Sequence, residues 1–116
     1  ALLASSAPQA AEAIELFVYR ALLGTGAFVA ALGGLDALVF TGGIGEHSHE
    51  IRARICAGLD WVGVVLDPAA NRRNDILISS TTGGVAVCAI PTDEEMVIAR
   101  HTRTTLDIPR RTPQAV

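Results

Sequence analysis

Three features of the sequence predict an α/β fold with an incomplete sheet and flanking helices. There is a long helical pattern near the start, a set of short apolar runs that end on turn residues, and an amphipathic segment after two of those runs. Half of the 116 residues are hydrophobic and few are aromatic, so the core is expected to be built from Ala, Val, Leu and Ile. The length is that of one small domain or of part of a larger one.

The first helix is expected over residues 7–32. Ile14, Phe17, Val18, Ala21, Leu22, Phe28, Val29 and Leu32 recur at helical spacing. Ser6 is the expected cap, Pro8 fits a first turn, and Gly33 and Gly34 end the helix. Gly24 and Gly26 interrupt it, each at a cost of about 1 kcal/mol against Ala, so the reading is one long helix with a weak spot.

Ala37 to Thr41 reads as a short strand buried on both faces, the kind found inside parallel sheets. It runs into "TGGIGEHS", where Gly42, Gly43 and Gly45 need a steric reason: a tight turn, or a ligand that approaches the main chain closely. Ser48 can cap a helix of about Ser48 to Leu59, with Glu50 complementing the dipole and Ile51, Ile55 and Leu59 on one face. Val62 to Leu66 and Ile76 to Ser79 read as strands, separated by "DPAANRRND" as a turn-rich loop. After a turn at "STTGG", Val85 to Ile90 is a further strand. Thr92 and Glu95 have capping-box spacing at the head of a helix running to about Thr104. Residues 1–106 are thus one domain segment, and the proline-bearing tail 107–116 is expected to be disordered.

Composition excludes several classes of function. The net charge of −3 gives no footprint for nucleic acid. The basic residues are all arginine, so a P-loop, which needs a lysine, is ruled out. No apolar run approaches the ~18 residues of a bilayer span, and no membrane partner is expected. Cys56 and Cys88 are read as buried, unpaired thiols in a reducing, cytoplasmic setting. His47 and His49 lack partners at zinc spacing, and Ser48 lacks the flanking pattern of a hydrolase elbow.

The chemistry is expected where two loops meet. "TGGIGEHS" and "PTDEE" each follow an apolar strand and open a helix. In open α/β sheets ligands bind beyond the carboxyl ends of the strands, so parallel neighbours would aim both loops into one crevice. The glycine turn offers N–H groups to an anion or a polar ring. A carboxylate of the second loop can hold a magnesium ion, which takes oxygen ligands and bridges to phosphate. Because Glu95 is expected to be occupied by the capping box, Glu94 is the better cation candidate.

In order along the chain, "EAIELFVYR", "LGGLDALVFTGGIGEHSHEIR", "LDWVGVVLD" and "VCAIPTDEEMVIAR" resemble the C-terminal part of the acetate kinase family, over all but about the last ten residues. The resemblance implies a partial ribonuclease-H-like domain of the actin-like ATPase type. It also implies transfer of a phosphoryl group from ATP, with Mg²⁺, to acetate or a similar short-chain carboxylate, giving ADP and an acyl phosphate. By the same resemblance Gly43, Ile44, Gly45, Glu46 and His47 line the adenosine side of the cleft, and Glu94 is the magnesium-linked glutamate. The family's reacting-centre residues would lie N-terminal to this segment, so its partner is the missing N-terminal part of the same enzyme, and a homodimer is expected. The segment alone is expected to turn over no acetate, because phosphoryl transfer needs all its groups held together. The alternative is a free-standing nucleotide-binding or dimerisation module without catalysis.

The family usually carries asparagine where this chain has His47. Histidine still exchanges hydrogen bonds, and as a residue type it titrates near neutral pH. ATP affinity is therefore expected to vary with pH through His47, and His47→Asn should flatten that profile in a calorimetric titration series. An unchanged profile refutes the expectation.

Overall fold

A computed structural model describes residues 1–107; the expectation for 107–116 lies outside it except at Asp107, the last residue of a helix. The elements run α1 (Pro8–Leu32), β1 (Ala37–Phe40), α2 (Gly42–His47), α3 (His49–Ala57), a 3-10 turn (Asp60–Val62), α4 (Pro68–Arg73), β2 (Ala86–Ala89) and α5 (Glu94–Asp107). The α/β class with flanking helices holds.

α1 is a single helix through Gly24 and Gly26. It ends where Gly33 turns left-handed at φ 76° and its N–H, like that of Gly34, reaches the Val29 carbonyl. Ser6 is not its cap: Ala7 holds that position, and Ser5 Oγ accepts the Ala7 N–H at 3.2 Å. Ile14, Val18, Ala21 and Leu22 pack against the cluster of Ile51, Ile55, Leu59, Ile78 and Val87. The opposite side, with Leu16, Tyr19, Leu23, Phe28 and Leu32, is exposed. Contrary to the run-length reading, α1 is long and apolar enough to cross a membrane by length and mean hydropathy, 1.5 over an 18-residue window. Glu12, Glu15 and Arg20 interrupt its apolar run, and an average passes over such breaks where a run does not.

β1 and β2 pair in parallel, with Ala37 opposite Ala86 and Phe40 opposite Ala89. β1 is not buried on both faces. Leu38 and Phe40 turn inward while Ala37 and Val39 stay exposed, so this two-stranded sheet has one open side. The strands expected at 62–66 and 76–79 are reduced to isolated antiparallel bridges, Leu66 with Ser79 and Leu77 with Cys88. The reason is local: the 3-10 turn takes Val62, and Gly63 at φ 104° reverses the chain, so regular pairing starts late. Gly83 is required beside it, because a Cβ there would stand 2.8 Å from the Gly63 carbonyl oxygen.

The expected loop "DPAANRRND" contains α4. Asp67 accepts from the N–H groups of Ala69 and Ala70, Pro68 takes the first helical position, and Asn74 closes the helix at φ 55°. α4 is tied to α3 through Arg52, whose side chain is fully buried. All five guanidinium N–H groups can be satisfied: Nε donates to Asn71 Oδ1, Nη2 to the Asn71 carbonyl and Asn74 Oδ1, and Nη1 to the carbonyls of Gly45 and Glu46, at 2.6–2.9 Å. Asn71 returns a bond from Nδ2 to the His49 carbonyl. Among the described residues Arg52 has no carboxylate partner. Beside it, burial pushes the Cys56 thiol up to about 12. Both cysteines are free, but Cys88, on the two-stranded sheet with one open side, is only half-buried and not buried as expected.

Arg52→Met leaves five acceptors, two of them buried, without their donor and should cost roughly 3–5 kcal/mol in urea unfolding. Arg52→Lys should recover part of it, because one ammonium cannot span a planar fork. A loss below about 1 kcal/mol for Arg52→Met would contradict this account.

Candidate functional site

The parallel ladder sets where the two loops leave the sheet. Its last rung is the Ile90 N–H donating to the Phe40 carbonyl at 2.9 Å. Beyond it the chain enters α2 on one side and residues 91–93, then α5, on the other. Between them lies a hollow of about 370 Å³ lined by Gly42, Gly43, Glu46, His47, Thr92, Asp93, Glu94 and Glu95.

The glycine segment lies at the head of α2 but turns sharply there, since Gly43, at φ 0° and ψ −90°, is non-helical. Gly42 begins it at φ 69°, a left-handed backbone that favours glycine. Its N–H is not presented to the hollow, because Glu46 Oε1 accepts it at 2.8 Å. The same oxygen accepts the Thr92 N–H and the Thr92 hydroxyl, each at 2.7 Å. Glu46 therefore fastens the first loop to the second, 46 positions along the chain.

Those bonds hold the Glu46 carboxyl below its ordinary 4.5: the Thr92 hydroxyl contributes most, then the Thr92 and Gly42 N–H groups, against opposition from burial. The other carboxylate oxygen lies 3.9 Å from His47 Nε2, and the imidazole is largely exposed.

Thr92 is not the cap of α5. Asp93 caps α5, its Oδ1 accepting the Met96 N–H at 2.8 Å, and the expected Thr92–Glu95 box does not form. Thr92 is drawn away by a carboxylate distant in sequence, a tertiary contact that local spacing does not reveal. Glu94 and Glu95 both stand exposed in the first turn of α5, so capping gives no reason to prefer one.

Of the five residues expected on the nucleotide side, Gly43, Glu46 and His47 line the hollow. Ile44 faces another recess, among Leu2, Leu3, Ile14, Phe17 and Ile51. Gly45 lies beneath, against Phe40, with its carbonyl bound by Arg52. Glu94 lines the hollow from the opposite side. Sequence reading missed Arg52, Thr92 and Asp93 as organisers of the site. For Arg52 one signal was present: Arg52, Cys56 and Leu59 form a helical stripe beside Ile51 and Ile55.

A model of the acetokinase family matches residues 2–100. The chain belongs to that family. It is 56% identical over 108 residues to an acetate kinase of Rhizobium meliloti, covering 93% of this chain and 28% of that protein. Against an acetate kinase of Rhodopseudomonas palustris strain TIE-1 it is 60% identical over 102 residues, covering 86% and 26%. The crystal structure of Porphyromonas gingivalis acetate kinase superposes with a TM-score of 0.67 at 38% identity, over 84% of this chain and 25% of that one. A propionate kinase from Francisella tularensis gives a TM-score of 0.75 at 35% identity, over 85% and 26%. The acetokinase segment thus spans about a quarter of the length of these relatives.

The lowered Glu46 carboxyl ties stability to pH with a definite sign. The folded segment binds that proton less tightly than the unfolded chain, so the stabilisation is present above about pH 4.5 and lost as pH falls through the lower folded value. In thermal melts the wild type should exceed Glu46→Gln at neutral pH, with the gap closing on acidification. A gap independent of pH would show that the carboxylate is not held by these bonds.

Proposed function

We propose that this acetokinase segment forms the nucleotide- and cation-facing wall of an acetate kinase, as part of an actin-like ATPase domain. In the full-length protein a carboxylate oxygen of acetate, or of a close short-chain acid, attacks the γ-phosphorus of ATP. The bond from that phosphorus to the β–γ bridging oxygen breaks, and acyl phosphate and ADP result. The observation that carries the reading is the convergence of the β1 and β2 exits on one hollow, glycine main chain on one rim and carboxylates on the other. The names of the relatives support the choice of reaction.

The donor set fits a magnesium ion shared with phosphate. Asp93, Glu94 and Glu95 offer hard oxygen ligands at the rim. Glu94 is the proposed holder, and the ion would neutralise charge on the transferring group. On the other rim Gly43 and His47 receive the adenosine side, while Glu46 and Arg52 keep the loop in place. The remainder of the enzyme supplies the groups at the reacting centre and the acyl-acceptor pocket. The apolar residues exposed on α1 support its association with the rest of the enzyme and with a second copy in a homodimer. The two free thiols support a reducing, cytoplasmic setting.

The test is acetyl phosphate formation from ATP, Mg²⁺ and acetate by the full-length protein, trapped as the hydroxamate. Glu94→Ala should lower turnover by about a hundredfold while leaving the thermal midpoint near that of wild type. Unaltered turnover in Glu94→Ala removes that residue from the mechanism, and no acetyl phosphate from the wild type removes the reaction.

A further inference from the structure

Glu46 lies on the nucleotide side of the hollow, yet its carboxylate is committed elsewhere. One oxygen, Oε1, takes three donors: Gly42 N–H at the head of α2, and the N–H and hydroxyl of Thr92 at the exit from β2. The Glu46 side chain is only 12% exposed, although the hollow beside it is open. Its main-chain carbonyl is held from below by Arg52, so both ends of the residue are fixed. Three short bonds converging on one anionic oxygen suit a brace, since each is charge-assisted.

We infer that Glu46 is a positioning residue, a latch that holds the glycine loop and the acidic loop at a fixed separation so that nucleotide and divalent cation are received together. This inference rests on the nucleotide-and-cation reading of the hollow and deepens it: Glu46 acts through Thr92 and Gly42 rather than by touching the ligand. Strand pairing fixes where the loops start, but it ends at Phe40 and Ala89, short of the residues lining the hollow. Beyond that point the latch is the side-chain cross-link between the two loops among the described residues.

The latch depends first on an acceptor at this place, to which the charge adds strength. Glutamine keeps an acceptor oxygen of the same reach, alanine keeps none, and Thr92→Val deletes the hydroxyl while sparing the main-chain donor. In the full-length enzyme Glu46→Ala should raise the Mg-ATP KM about tenfold, with Glu46→Gln staying within about threefold of wild type. Combining Glu46→Ala with Thr92→Val should add nothing to Glu46→Ala alone, because the two changes break the same link. A Glu46→Gln variant as impaired as Glu46→Ala would mean that the charge meets the ligand directly, and would overturn the inference. Multiplying losses in the double variant would also overturn it. The same cycle in thermal midpoint without ligand keeps the two readings separate. Non-additive midpoints support the latch even if the wild type turns over no ATP, an outcome that would reject the kinase reading alone. Additive midpoints reject the latch.

Discussion

Four residues of parallel pairing set the geometry on which the site depends. Ala37–Phe40 beside Ala86–Ala89 is a short ladder, yet its direction decides everything downstream. Because the strands run the same way, the chain leaves both at the same edge, and the glycine loop after β1 meets the acidic loop after β2 across the hollow. Antiparallel pairing of the same two segments would send the glycines and the carboxylates to opposite edges. The sequence-level logic of a buried run capped by glycines, and a second capped by acids, gains meaning only through that shared direction.

Two side chains turn a shared edge into a defined site, by different physics. Arg52 is a buried cation without a counter-ion among the described residues, neutralised by the converging dipoles of carbonyls and asparagine amides. Taking a guanidinium out of water is costly, and the arrangement is tolerable because the available donors are all used. The same bonds fix the last carbonyls of α2 and the end of α4 to α3. Glu46 works from the other side, at the partly exposed rim, where one oxygen gathers the start of α2 and Thr92. Main chain that would otherwise be a glycine-rich loop, costly to order, is gripped at its head and its tail.

Much of this was legible from the residues. The span of α1, the cap at Ser48 with its bond from Ile51 N–H, and the positions of both strands come from periodicity and turn chemistry. So do the two polar loops. The illegible parts at Thr92 and Arg52 have a common cause: each is held by partners distant in sequence. Thr92 had the spacing of a capping box, but its N–H and hydroxyl both donate to the Glu46 carboxylate, and Asp93 takes the cap. Arg52 drew no reading from the sequence and is among the most buried side chains. "DPAANRRND" was misjudged for a local reason, since Asp before Pro is as good a helix start as a turn. The two faces of β1 could not be told apart by an apolar run, which states what could be buried and not what covers it.

The exposed side of β1 and the outer face of α1 fit a segment about a quarter the length of its relatives. Its own contribution is the wall with two rims, and the central claim is that one metal–nucleotide complex touches both. The most direct measurement replaces Mg²⁺ by paramagnetic Mn²⁺ and tracks backbone amide signals of the full-length protein with ATP. Broadening of Gly42 and Gly43 together with Asp93, Glu94 and Glu95, dependent on ATP, is the result this account predicts. Broadening confined to one rim, or spread over neither, would contradict it.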